Sequence, residues 1–89
     1  MPSFEFDPDK SAKNLEKHGI DFVAAQQLWR DERLATVPSA QTTGETRYLA
    51  YGRIGDKNYT AVFTYRGEKV RIISVRRSRR EEVIIYDGR

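Results

Sequence analysis

His18 is the only histidine in the chain, and it stands next to Lys17, four residues after Asn14 and eight after Lys10. An imidazole titrates near neutral pH and can give or take a proton, and ammonium groups beside it can hold a phosphate. Near the other end come Arg76, Arg77, Arg79 and Arg80; between Arg66 and Arg80 seven residues are Lys or Arg and only Glu68 is acidic. Such a run repels itself unless an anion or an acidic protein neutralises it, and polyanions are its natural partners. A titratable ring among cations is what phosphodiester chemistry on RNA needs. Metal-free cleavage requires a base for the ribose 2′-hydroxyl, cations for the pentavalent phosphate and an acid for the leaving 5′-oxygen. One histidine cannot fill both proton-transfer roles.

The same residues also have plain structural readings. Lys17 and His18 are favoured at a helix C-terminus by the macrodipole and can cap its carbonyls. An isolated charge run is more often a solvated face. Tyr48, Tyr51, Tyr59 and Tyr65 have faces on which bases could stack, but tyrosine on a half-buried strand more often packs the sheet.

The elements that must position these groups are legible in outline. Phe4 to Phe6 alternates as a short strand, and Asp7 as N-cap with Pro8 at the first helical position starts a helix that Gly19 ends. Helical spacing puts Ala12 and Leu15 inward and Lys10, Asn14 and Lys17 on an exposed stripe. Asp21 caps a second amphipathic helix with Phe22, Ala25, Leu28 and Trp29 in the core. A strand is expected from Arg33 to Val37, ending at Pro38, and Ser39 to Gly44 reads as a mobile loop. A meander follows: Arg47 to Ile54, Lys57 to Tyr65, and Lys69 to Val75 or Arg77, turned at Gly55-Asp56 and around Gly67. Tyr59, Ala61, Phe63 and Tyr65 share the more apolar parity, which helices would cover. Ser78 as N-cap and Glu81 three residues on form a capping box opening a helix to about Tyr86, with Arg79 and Arg80 in its first turn. Cations there oppose the macrodipole, which an anion at that end would explain. The class is α+β, one small domain over residues 1–89, with an antiparallel β-sheet and helices.

Composition excludes several alternatives. At 89 residues one compact domain is expected, and 38% hydrophobic with 11% aromatic residues are too many for a disordered tail. With 33% charged residues and no long apolar run, no membrane span is expected. No basic-then-apolar leader opens the chain and cysteine is absent, so neither export nor disulfides are suggested and a cytoplasmic location is the default. No cluster of His, Cys and carboxylates has metal-ligand spacing, no glycine-rich phosphate loop occurs, and a Ser-His-Asp arrangement has no support. Neither a metal nor a cofactor is expected.

Three ordered motifs carry a family resemblance over nearly the whole chain. The first is Phe6-Asp7, Lys10, Asn14, Lys17-His18-Gly19 and Asp21-Phe22; the second is Glu45-Thr46-Arg47 with Gly52-Arg53. The third runs Arg71-Ile72-Ile73-Ser74-Val75-Arg76-Arg77, then Glu82 and Tyr86. So patterned, the sequence resembles the BrnT family, the toxin half of a bacterial type II toxin–antitoxin pair. It departs at Ser78, where alanine is common in the family, and at Val83-Ile84-Ile85, where charged residues are often seen.

The resemblance implies a small ribonuclease with a RelE-like toxin fold, inhibited by a ribbon-helix-helix antitoxin, BrnA. Two copies of each would form a heterotetramer that represses its own operon through the antitoxin's DNA-binding half. At the positions matching the motifs, His18, Lys17, Arg53 and Arg76 are the catalytic candidates, with Arg53 and Arg76 on the phosphate. Lys10, Arg77, Arg79 and Arg80 would hold the rest of the RNA. Lys17, Lys10, Glu45 or Glu82 would complement His18 in proton transfer. Glu45, Glu82 and Tyr86 stay open between acid–base and structural roles: Arg53 could pair with Glu45, and Glu82 and Tyr86, at i and i+4, could anchor the last helix to the sheet. Two functions follow: a metal-independent endoribonuclease toxin that arrests growth, or a non-catalytic basic module that binds an antitoxin or nucleic acid and acts as a co-repressor.

Overall fold

The Asp7 carboxylate accepts the Asp9 N–H at 2.9 Å, so helix α1 (Pro8–His18) starts where Asp7 and Pro8 lead one to expect. This is read from a computed structural model that describes residues 1–40 and 44–88. Gly19, at φ 75°, ends α1 in a left-handed conformation that a side chain would disfavour, and its N–H donates to the Leu15 carbonyl at 2.9 Å. Asp21 then accepts the Ala24 N–H at 2.8 Å and opens α2 (Phe22–Ala25), which tightens at once into a 3-10 helix, Gln26–Arg30. Phe22, Ala25 and Leu28 are buried and Trp29 packs against them, edge-on to Phe63 at 5.2 Å.

The inward face of α1 is not the expected one. Leu15 is 50% exposed and Ala12 is exposed, whereas Ser11 and Asn14 are buried. Asn14 therefore leaves the exposed stripe. The reason is what α1 rests on: β1 (Ser3–Glu5) pairs with β5 (Lys69–Arg77) only from Lys69 to Arg71, so farther along that edge backbone groups lack a strand neighbour. Buried backbone N–H and C=O groups must be paired. Asn14 Nδ2 donates to the carbonyls of Val75 and Ile20, both at 2.8 Å, and its Oδ1 accepts the Val75 N–H at 3.2 Å. Ser11 Oγ accepts the Phe22 N–H at 2.9 Å. Polar side chains face inward here because the edge they meet is polar.

The sheet has the order β1-β5-β4-β3-β2, with β2 (Ala35–Pro38), β3 (Tyr48–Ile54) and β4 (Lys57–Arg66) antiparallel in sequence with β5. The meander has its expected turns, and Pro38 closes the edge strand β2, where a missing N–H costs no ladder bond. One departure is β1, which joins β5 in parallel and makes the sheet mixed. A second is a bulge: Val62 opposes Ser74 but Phe63 opposes Ile72, which leaves Ile73 without a partner. One face carries Ala50, Ala61, Phe63, Ile72 and Val75 against α2 and the 3-10 helix. The other carries Leu49, Tyr51, Thr60, Val62, Ser74 and Arg76; helix α3 (Arg80–Asp87) covers part of it, the Ala35–Tyr51 end through Tyr86 and Thr60 with Arg76 through Glu82.

The start of α3 is shifted by one residue from the expected box. Arg79 is the N-cap and Glu82, not Glu81, is at the third position, accepting the Arg79 N–H at 2.8 Å. Ser78 belongs to the sheet: its N–H donates to the Asn58 carbonyl at 2.9 Å and its Oγ lies 2.9 Å from Thr60 Oγ1. Glu81 and Glu82 occupy the first turn with Arg80, so the macrodipole is already met by acids. Half of the expected loop Ser39 to Gly44, residues 41–43, lies outside the described residues. Among the described residues no helix is long and apolar enough to cross a membrane.

Candidate active site

His18, the last residue of α1, shares a recess of about 220 Å³ with Lys10, Lys13, Asn14 and Lys17, whose far wall is Ile73 and Ser74 of β5. α1 is held against β5 by the two hydrogen bonds between Asn14 and the Val75 backbone. The spacing of Lys10, Lys17 and His18 on one stripe of α1 thus becomes a cationic wall facing the bulge.

Across the bulge lies a groove of about 490 Å³ on the sheet face that α3 leaves open, lined by Ser39, Ala40, Arg47, Leu49, Val62, Ile73, Ser74, Arg76 and Arg79. Ile73 and Ser74 line both concavities, so the two adjoin at the bulge; together they are called the trough, with His18 and the lysines on one side and Arg47, Arg76 and Arg79 on the other. Arg76 is held by Glu82 in a bidentate pair, 2.7 and 2.9 Å, and Glu82 also accepts the Thr60 hydroxyl at 3.0 Å. Burial opposes ionisation of Glu82, but the Arg76 hydrogen bonds, the Arg79 N–H and the Thr60 hydroxyl outweigh it and bring its pKa from 4.5 to about 2. The Glu82 hydrogen bonds raise Arg76 above its ordinary value despite burial. Glu82 is therefore ionised at any pH where it would have to carry a proton, and both its oxygens are engaged. Its geometry is that of an anchor that orients Arg76.

Arg53 shares the sheet face of Arg76 but stands at the other end of α3. It lines a recess of about 470 Å³ with Gln27, Arg30, Asp31, Glu32, Arg33, Ile54, Gly55 and Tyr86, none of which lines the trough. Its Nε donates to the Gly55 carbonyl at 3.0 Å. Beside it Asp31 accepts the Tyr86 hydroxyl at 2.7 Å and the N–H groups of Arg53 and Arg33, both at 2.9 Å. Burial would raise Asp31, yet those hydrogen bonds and the Arg33 charge hold it below its usual value, while burial and Asp31 push Tyr86 up. Tyr86 and Glu82 thus tie the two ends of α3 to the body of the fold.

The remaining candidates lie apart. Glu45 pairs with Arg66 at 3.4 Å, not with Arg53. Arg77 points to the opposite face from Arg76 and sits over the Tyr59 ring at 5.7 Å. Arg80 is exposed at the start of α3, and only Arg79 of that pair reaches the groove. The trough includes residues that spacing alone does not single out: Arg47, which stands within the Glu45-Thr46-Arg47 motif, and Ser74, whose orientation depends on the bulge.

A family model described as "Ribonuclease toxin, BrnT, of type II toxin-antitoxin system" matches residues 6–82. The chain belongs to the BrnT toxin family. The BrnT match spans His18, Arg53, Arg76 and Glu82 and ends before Tyr86. Comparison with curated proteins gives no match. Membership in BrnT implies a ribonuclease, with an antitoxin partner and an RNA substrate. Among the described residues of this BrnT chain, no three His, Cys, Asp or Glu side chains are grouped as a metal site would require.

Proposed function

We propose that the trough between α1 and the open sheet face is the active site of a metal-independent endoribonuclease. The observation that carries this reading is the sharing of Ile73 and Ser74 by the His18 recess and the arginine groove, which brings the one imidazole and two cationic banks together at the bulge. The phosphodiester lies over the bulge, between Lys10 and Lys17 on one side and Arg47, Arg76 and Arg79 on the other. His18 takes the proton of the 2′-hydroxyl, the 2′-oxygen attacks phosphorus, and the P–O5′ bond breaks. The 5′-oxygen takes a proton from a neighbouring ammonium, Lys17 first. A 2′,3′-cyclic phosphate and a free 5′-hydroxyl result. Cations placed where the phosphorane gains charge account for the rest of the rate.

In this reading the protein is a cytoplasmic toxin with a RelE-like fold that arrests growth. A BrnA-like ribbon-helix-helix antitoxin neutralises it in a heterotetramer with two copies of each chain, and operator DNA is bound through the antitoxin. The test is incubation of antitoxin-free protein with labelled single-stranded RNA in excess EDTA, beside His18→Ala, with chemical analysis of the 3′ ends. Cyclic-phosphate ends from the parent protein only are expected. Intact RNA in both, with binding that weakens steeply with salt, would replace this reading by the non-catalytic basic module.

A further inference from the structure

The arginine bank of the trough is built for more than charge. Leu49 and Val62 face each other across β3 and β4, Val62 faces Ser74 across β4 and β5, and Ile73 adjoins them at the bulge. These make a partly apolar floor on the face α3 leaves open. Arg76 has both terminal nitrogens on Glu82 and one of them on the Arg77 carbonyl as well, so it serves the phosphate as a fixed charge and does not read a base. Among the described residues, Arg47 and Arg79 pair with no carboxylate, and the buried Arg47 Nε has no hydrogen-bond partner. A buried guanidinium N–H without a partner is costly, and the cost is offset when an acceptor arrives and the side chain turns to it.

A flat apolar floor flanked by planar guanidinium groups suits the face of a nucleobase, and about 490 Å³ is ample for one nucleotide. The lining also selects an edge. Among the described residues its charged lining is guanidinium only, and it holds no Asp, Glu, Asn or Gln. On the edge that carries N7, adenine presents an exocyclic amine that asks for an acceptor, whereas guanine's own amine lies on its opposite edge. Guanine presents O6 and N7, two acceptors that match a guanidinium fork.

We infer that this groove is a base-reading subsite that takes the RNA nucleotide next to the scissile phosphate and selects guanine over adenine. The inference rests on the ribonuclease reading above and adds to it a substrate preference, with Arg47 and Arg79 as the residues that determine it.

The test separates the two. The full chain, with labelled methyl groups, is titrated by NMR with guanosine 3′-monophosphate and with adenosine 3′-monophosphate; cleavage of an RNA of mixed sequence is followed separately. Shifts at the Leu49, Val62 and Ile73 methyls are expected, with the guanosine nucleotide bound tighter on the order of tenfold. Arg79→Ala should flatten that ratio while the methyl spectrum of the core stays in place. Equal affinity for the two nucleotides, or shifts confined to the His18 recess, overturns the subsite. If RNA is cut with no preference for guanine, the subsite fails and the ribonuclease stands. If RNA stays intact while the methyls respond selectively to guanosine nucleotide, the ribonuclease reading fails and the groove remains a guanine site.

Discussion

Replacing Glu82 by Gln keeps the shape of the side chain and removes its charge, which is what protonation does. Glu82 is 5% exposed and accepts from Arg76 twice, from the Thr60 hydroxyl and from the Arg79 N–H. Its pKa is brought from 4.5 to about 2 in the folded protein, and by linkage that difference is worth about 3 kcal/mol. A domain of this size has a total stability of roughly 5–15 kcal/mol, so Glu82→Gln should remove a large part of it near neutrality. The melting temperature should fall by roughly 12–24 °C. Because the folded pKa is depressed, the contribution is complete above the usual carboxylate range and drains away as pH falls toward about 2. The gap between parent and variant should therefore close over that window. Thermal melts followed by circular dichroism, near neutrality and at several acidic pH values, measure both. A variant that melts with the parent near neutrality, or a gap that stays constant down to about pH 2, would refute the account of Glu82 as an ionised anchor.

Asn14→Leu leaves the Val75 N–H and carbonyl and the Ile20 carbonyl without their partner; about 3 kcal/mol of stability should be lost, and hydrogen exchange at the Val75 amide should accelerate more than exchange in β3. In RNA cleavage under EDTA, His18→Ala should reduce the rate by about 10²–10⁴-fold, whereas Arg53→Ala, in a separate recess, should reduce it far less. Equal losses in the two variants would argue against the trough. Tyr86→Phe removes the hydroxyl that Asp31 accepts at 2.7 Å; it should cost about 1.5 kcal/mol and let the Asp31 carboxyl rise, which a carboxyl-detected NMR titration would reveal.

Much of the fold is legible in the sequence because local rules and tertiary demands agree. Asp7, Pro8 and Gly19 bracket α1 by backbone chemistry that no packing has to enforce, and the two-residue turns at Gly55 and Gly67 set the meander. The misread residues are those whose neighbours are distant in sequence. Asn14 reads as surface by polarity, and only the unpaired edge of β5, 61 residues away, turns it inward. Ser78 reads as an N-cap until Asn58 and Thr60 of β4 claim it. The trough follows the same pattern. Lys10, Lys17 and His18 share a helix stripe that spacing reveals, but Arg47 joins them only through strand pairing, and Arg53 is separated from them by the placement of α3. Periodicity finds groups on one element; it does not tell which elements meet.

The unpartnered Ile73 also sets a phase. Side chains alternate with period two along a strand, so one extra residue gives Lys69–Ile72 and Ser74–Arg77 opposite rules for what points inward. Ile72 and Val75 both reach the core although they are three positions apart, and Ser74 and Arg76 are released to the trough. Pairing Ile73 with Val62 in a regular ladder would turn Arg76 toward the hydrophobic core and Val75 toward the open face. What the strand needs is the bulge at this point, since skipping Ile73 in the pairing keeps Val75 inward and Ser74 and Arg76 on the side of the trough.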